Sequence, residues 1–409
     1  MLSAVSSLSA AYHGRSALQL LQVSVDRTGT AGSIERISAG LSPLMNGTAN
    51  AAIDILIRIA LDAKGNSDIS IEAKDGAVTT KAGSGDDTIK ISAGAAIGVY
   101  GGSGNDTIDI AATGMKSILG SFNVAADNVE GGEGDDSIHI DGHGVVMRID
   151  GDAGNDLIEI GSTGGNGSSG MLDYGIDIVK GGAGNDTIKL ASDSQVGRIN
   201  GDTGDDIIDI KANGRADRIH GGDGNDTITA QAKSVSLLDG GDGNDTIVVN
   251  ASYVSNIDGG DGNDTIIATT DGLLRNISGG RGDDHVVLDN KSRNEASYYF
   301  SAGDGRDVVV TNGPLEINGF SEDSTRRLDM SRASITVDGD TVTIGFVGTT
   351  DSITVKLGGR MADAGNIHLV YRPETQSLLI ADDRYIAENT PAPPVFDRSE
   401  DNHVGPFRR

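Results

Sequence analysis

The chain has 409 residues, 60 of them glycine, with no cysteine, no tryptophan and a formal net charge of −28. The missing thiols exclude disulfide staples, thiolate zinc sites and cysteine nucleophiles, and the acidity makes nucleic acid and anionic membrane surfaces poor partners. With six phenylalanines and eight tyrosines, a thin repetitive core of Ile, Val, Leu and Ala fits better than a compact aromatic one.

The first residues, MLSAVSSLSAAYHGRSALQLLQ, lack a basic start and a continuous apolar run, so no cleavable signal peptide is expected. No stretch reaches the roughly 18 apolar residues of a membrane helix. Ser16–Val23 is a short helix-favouring run. In Ala51–Asp62, Ile53, Leu56, Ile57, Ala60 and Leu61 fit a helical face, whereas Ile53, Ile55, Ile57, Ile59 and Leu61 fit a strand. The β-branched isoleucines, alternating with Asp54, Arg58 and Asp62, favour a strand or strand-like first coil. Residues 68–74 and 76–80 read as solenoid turns, and segment 1–66 is expected to cap the open end of a stack.

Over 67–312 one pattern dominates. Gly-Gly-x-Gly-Asn/Asp-Asp recurs eleven times, strictly or slightly relaxed, always with aspartate sixth: Asp87, Asp106, Asp136, Asp156, Asp186, Asp206, Asp226, Asp245, Asp264, Asp284 and Asp307. The steps between them are 19, 30, 20, 30, 20, 20, 19, 19, 20 and 23 residues. Each repeat reads as one coil of about 20 residues: a glycine turn, a strand, a corner and a return strand. In the coil from Gly221, Ile228 points inward, then Val235 and either Leu237 or Leu238. The fold expected is all-β, a right-handed parallel β-roll or β-helix solenoid. Ile89, Ile108, Ile138, Ile158, Ile188, Ile208, Ile228, Ile247 and Ile266 form one inward ladder.

The two 30-residue steps each add ten residues. An added half coil would carry the motif to the opposite edge; a bulge would keep it in line. The first, within Ala111–Glu130, is apolar enough to add a short strand; the second, Gly161–Gly175, reads as a protruding Gly/Ser loop. Both would project opposite the glycine turns. Residues 313–387 keep the alternation, with a hairpin expected at Asp338-Gly339, and form a β-rich C-terminal cap. Residues 388–409 read as a flexible tail.

The chemistry of the motif points to calcium. This ion takes six to eight hard oxygens. Each turn offers the carboxylate plus carbonyls of the second and fourth residues: Gly102 and Gly104, Gly132 and Gly134, Gly182 and Gly184, Gly222 and Gly224, Gly241 and Gly243, Gly260 and Gly262, Gly280 and Gly282. Carboxylates in file about 5 Å apart would repel by roughly 3 kcal/mol per pair at an effective dielectric near 20. Roughly eight to ten Ca²⁺ between stacked turns would offset most of the charge. Magnesium prefers strict octahedral geometry and zinc lacks soft ligands here.

The sequences GGSGNDTI, GGEGDDSI, GGAGNDTI, three copies of GGDGNDTI and GGRGDDHV resemble the repeats-in-toxin (RTX) or haemolysin-type calcium-binding repeats. The resemblance covers about residues 82–310. It implies a parallel β-roll with calcium in its turns, and export through a type I secretion channel with folding outside the cell. The segment PLEINGFSEDSTRRLDMSRASITVDGDTVTIGF looks like the region that often follows such arrays. Family members commonly run nonapeptides in tandem, with calcium on both edges. Here alternate half coils are degenerate, so one row is expected. Ala82 and Ala302 replace the first glycine, Asp152 and Asp202 the second, and Arg306 the fifth residue of the last copy. The terminal sites should therefore be weakest. The C-terminus, VGPFRR, is basic, where family export signals often end in apolar and hydroxyl residues.

The function expected is a secreted or cell-surface calcium-binding structural or adhesive protein. Its partners would be a matrix polysaccharide or further copies of itself. A pore former would need a longer apolar segment than Ala51–Leu61. An accessory module of a secreted enzyme is the other alternative. No catalytic residues are assigned: HExxH and GxSxG are absent and the seven histidines are scattered.

Overall fold

The computed structural model describes residues 22–26, 36–40, 56–116, 123–163, 174–292, 294–319, 333–362 and 367–389. Within them the chain is a β-solenoid of about 12 turns. Each coil pairs in parallel with the next. Ile228 lies opposite Ile247, and Ile247 opposite Ile266; on the turn edge Gly222 lies opposite Gly241, and Gly241 opposite Gly260. The nine isoleucines of the expected ladder are all fully buried. Nearest-neighbour stacking of small branched side chains supplies the core, as in other solenoids.

The return strand departs from simple alternation. Asn128, Arg148, Ile178, Arg198, Arg218, Leu237, Asn256 and Asn276 stack in the left-handed region, with φ between 52° and 59°. Such a residue bends the strand and resets its facing. Hence Val235 and Leu238 are both buried while Leu237 is exposed. Left-handed φ costs an L-residue roughly 1–2 kcal/mol. Part of that is offset by contacts one coil back: the Arg148 and Arg198 guanidinium groups pair with Asp127 and Asp177.

Both ten-residue additions keep the motif in line. Gly102 pairs with Gly132, and Asp152 with Gly182. The first insertion adds the short strand Met115–Lys116, antiparallel to Asn123–Glu133. Residues 117–122 and 164–173, the bulk of both insertions, lie outside the described residues.

At the start, strand Leu56–Lys64 stacks in parallel on Asp68–Ser84. Residues 56–64, overlapping the stretch expected to be a strand or strand-like first coil, thus form a coil of the roll. Of the run Ser16–Val23, the described end is extended: Gln22–Asp26 pairs antiparallel with Arg36–Gly40. Residues 1–21, 27–35 and 41–55 lie outside the description.

At the other end, two antiparallel pairs cover the last coil. Ser352–Leu357 pairs in parallel with Arg306–Thr311 and antiparallel with Thr341–Phe346. Ser377–Asp382 pairs antiparallel with Leu315–Asn318 and with Ile367–Arg372. The sheet edges thus find partners within the chain. The Phe300 and Phe346 rings stack with centroids 6.2 Å apart. Arg372 bridges Glu295 and Glu316, each at 2.9 Å. The hairpin turn is one residue later than expected. Asp338 pairs with Thr341, so Gly339 and Asp340 are the loop residues, and Gly339 takes the positive φ of 59°. Two short helices, Gly359–Ala362 and Asp383–Asn389, were not foreseen. Glu388 and Asn389, assigned to the tail, are in the second; 390–409 and 320–332 lie outside the described residues.

Candidate metal centre

The eleven glycine turns stack on one edge, and their sixth residues form a buried file. Asp87 to Asp307 are all between 1% and 3% exposed. In each carboxylate, one oxygen is occupied by the preceding coil. The Asp206 N–H donates to Asp226 Oδ1 at 2.8 Å, and the Asp226 N–H to Asp245 Oδ1 at 2.7 Å. The same bond runs from Ser67, whose N–H meets Asp87 Oδ1 at 2.5 Å, to Asp284, whose N–H meets Asp307 Oδ1 at 3.3 Å.

The second oxygen is different. Oδ2 of Asp87, Asp106, Asp136, Asp156, Asp186, Asp206, Asp226, Asp245, Asp264 and Asp284 is buried with no hydrogen-bond partner. A buried anionic oxygen without a partner is costly unless a cation meets it. Burial, ahead of the neighbouring carboxylates, pushes Asp106, Asp156, Asp206 and Asp245 up to about 7, and Asp136, Asp186, Asp264 and Asp284 to about 6. Asp87 and Asp226 are also raised, by burial first. Asp307 is pushed to about 8, again by burial. The bare protein therefore disfavours the charge that a divalent ion would stabilise.

The first glycine of each turn makes the space. A Cβ on Gly131 would lie 2.7 Å from the Gly151 carbonyl oxygen and closer still to Asp136 Oδ2. The same two groups converge at Gly101, Gly151, Gly181, Gly201, Gly221, Gly240 and Gly259. Each cradle thus joins the unpartnered Oδ2 of one coil with a carbonyl of the next. Among the described residues no three carboxylate or imidazole side chains converge, so an ion here must draw on main-chain oxygens. That suits calcium, which accepts carbonyls readily. The donor set fits: hard oxygens only, one carboxylate per turn, no thiolate and no imidazole.

The glycines named from the sequence stack tightly along the file. The ideal Cβ of Gly132 would strike the Gly102 carbonyl, that of Gly241 the Gly222 carbonyl, and that of Gly243 the Gly224 carbonyl. Gly104, Gly134, Gly182, Gly184, Gly222, Gly224, Gly260, Gly262, Gly280 and Gly282 meet the preceding coil in the same way. Their role is close backbone approach, with positive φ throughout. Two features escaped the sequence reading. One is the first-position glycine carbonyl just described. The other is the fifth residue, whose side chain accepts from the next coil: Asn105 Oδ1 from the Asp135 N–H at 3.0 Å, Asn225 Oδ1 from the Asn244 N–H at 2.9 Å. The signal was present, since ten copies carry Asn or Asp there. His139 and His220 are half exposed, as expected of surface histidines.

A stack of glycine turns holding a file of unpartnered carboxylates defines the molecule as a calcium-binding β-solenoid. Six segments, 99–109, 123–139, 173–191, 210–232, 237–252 and 255–271, match the RTX calcium-binding nonapeptide repeat (4 copies). No curated protein matches the chain. The repeats are of the RTX calcium-binding family, and the ion they bind is Ca²⁺. Among the described residues no helix is long and apolar enough to cross a membrane.

Proposed function

We propose that this is an extracellular, RTX-type structural or adhesive protein whose roll folds on binding roughly eight to ten Ca²⁺ in one row. The observation that carries the reading is the file of ten buried, unpartnered Oδ2 atoms. The ligands of each ion are the sixth-position carboxylates and the glycine carbonyls of the two turns around it. The bound ion supplies positive charge that lets neighbouring carboxylates stay ionised side by side. Sites with one carboxylate per turn suit the weak affinity, ~10⁻⁴–10⁻³ M, of extracellular calcium modules. Folding outside the cell suits that affinity, and export through a type I secretion channel is what the resemblance to RTX repeats implies. The rod would then present its faces to a matrix polysaccharide or to further copies of itself.

The test is a calcium titration of chelator-treated protein, with far-UV circular dichroism and bound ions counted by calorimetry. A cooperative coil-to-β transition with nine or ten ions, and little response to magnesium, is expected. A chain already fully folded in chelator would refute folding on calcium.

A further inference from the structure

The last turn of the array is built differently from the ten before it. Asp307 alone among the motif aspartates has a partner for Oδ2: the Tyr298 hydroxyl donates to it at 2.6 Å. The same hydroxyl accepts from the Gly279 N–H at 3.2 Å. A phenol has one hydrogen and its lone pairs, so Tyr298 links the two turns, while Asp284 Oδ2 keeps no hydrogen-bond partner. Its ring is fully buried and stands opposite Ile277 in the inward ladder. Where earlier coils carry Ile219, Leu238 and Ile257, the longer tyrosine reaches into the turn.

Three further departures coincide there. The step to Asp307 is 23 residues. A Cβ on Gly303 would meet nothing within 4 Å, whereas its counterparts from Gly102 to Gly280 are pressed against the preceding coil. The Gly303 N–H instead reaches Asp351 Oδ2 in the C-terminal region, at 3.0 Å. Finally, the Arg306 guanidinium lies on Asp283 at 2.6 Å, ending the outer ladder with a fixed positive charge. A cation needs converging lone pairs. This gap offers the carboxylate a hydroxyl hydrogen and has lost half of its stacked carbonyls.

We infer that Tyr298 ends the calcium row. The gap between turns 279–284 and 302–307 is closed by a hydroxyl bridge and takes no ion. The row then comprises the nine gaps bounded by the ten unpartnered carboxylates, and the end nearest the C-terminal cap is held without metal. This rests on the calcium row proposed above and sets its length.

Bound calcium is counted on the full chain by equilibrium dialysis with metal analysis, for wild type, Asp226→Asn and Asp307→Asn. Asp307→Asn should keep the wild-type count, while Asp226→Asn loses one or two ions. Loss of an ion from Asp307→Asn, in protein whose wild type binds calcium, overturns the terminator. Because Asp307→Asn could itself disturb folding, amide hydrogen exchange of wild type, kept folded in a stabilising osmolyte both in chelator and in calcium, is the second measurement, and Tyr298→Phe is compared under the same conditions. Calcium should slow exchange at 221–226 and leave 302–307 unchanged; equal slowing at both overturns the inference. Tyr298→Phe should speed exchange at 302–307 in chelator, and unchanged exchange would also count against it. Wild type that binds no calcium would instead sink the row itself, and with it any end to the row.

Discussion

Replacing Asp226 with asparagine should move stability in opposite directions with and without calcium. The substitution is close to isosteric. Asparagine keeps the oxygen that accepts from the Asp206 N–H and exchanges the unpartnered Oδ2 for an amide near the Gly240 carbonyl. Stacked coils lie about 4.8 Å apart, so each neighbouring pair of charges repels by roughly 3 kcal/mol at an effective dielectric near 20. The neighbours Asp206 and Asp245 are pushed to about 7, and so carry about half their charge at neutral pH. Asp226 is itself raised by burial, so two half-charged neighbours put the relief at no more than about 3 kcal/mol in calcium-free protein. With calcium present, two gaps lose a carboxylate and the sign reverses. The assay is urea unfolding followed by far-UV circular dichroism, in chelator and in saturating calcium. A stabilising osmolyte is added to both if the chain is unfolded in chelator. Equal destabilisation in both conditions would refute the electrostatic account and leave Asp226 as a turn-forming residue only.

Four more outcomes follow from the same geometry. In chelator, stability should fall as pH rises from about 4 to 7. The folded carboxyls of Asp106, Asp156, Asp206 and Asp245 hold protons up to about 7 that the unfolded chain releases near 3.8, so the folded state binds more protons across that window. Apparent calcium affinity should drop as pH falls through the same range, and an affinity independent of pH between 5 and 8 would contradict the raised values. Gly240→Ala would press a methyl group onto Asp245 Oδ2 and the Gly259 carbonyl; a cost of about 1–3 kcal/mol and a lower ion count are expected by calorimetry, and an unchanged count would remove the cradle from the site. Ile247→Ala, fully buried between Ile228 and Ile266, should cost about 2–5 kcal/mol in chelator and calcium alike, which separates core loss from site loss.

Much of this was legible from residue spacing. Steps near 20 residues with aspartate always sixth give the stacking of most turns, whereas the two 30-residue steps left a half coil and an in-line bulge open until the pairing of Gly102 with Gly132 and of Asp152 with Gly182 decided for the latter. The inward isoleucines follow from period-two alternation starting at each turn. What was not legible has a physical cause in each case. The choice between Leu237 and Leu238 depends on a left-handed residue, and Arg198, Ile178 or Leu237 carries no sequence mark for that conformation. The first-position carbonyl became visible only when two coils were brought together, since its partner Oδ2 lies in a different repeat. Residues 56–64 pair with the coil that leads to Asp87, but their own turn has Ser67 in place of the aspartate, so the alternating isoleucines and not the motif announced them as a strand-like first coil. The Tyr298 bridge links residues nine apart across an irregular coil, where periodic reasoning has nothing to follow.

The two ladders also explain why the array needs made ends. On the inner side, each aspartate N–H is held by the carboxylate of the next coil; on the outer side, each fifth residue holds the N–H of the next. Every turn thus depends on both neighbours, and a single coil could satisfy neither bond alone. Cooperative, one-dimensional folding is the consequence. The ends must supply the missing partners without ions. At the start, Asn66 Oδ1 accepts from the Asp86 N–H at 3.1 Å, and the Ser67 N–H meets Asp87, in a turn that has serine at the carboxylate position. At the finish, the Arg306 N–H donates to Asp283 Oδ1 at 3.0 Å with its guanidinium on the same carboxylate, the Asp284 N–H meets Asp307 Oδ1, and the Tyr298 hydroxyl donates to Asp307 Oδ2. With protein groups at both ends, the inferred row needs calcium only between them, and its length is set where the pattern breaks: serine in place of aspartate at Ser67, and Arg306 and Tyr298 at the last turn.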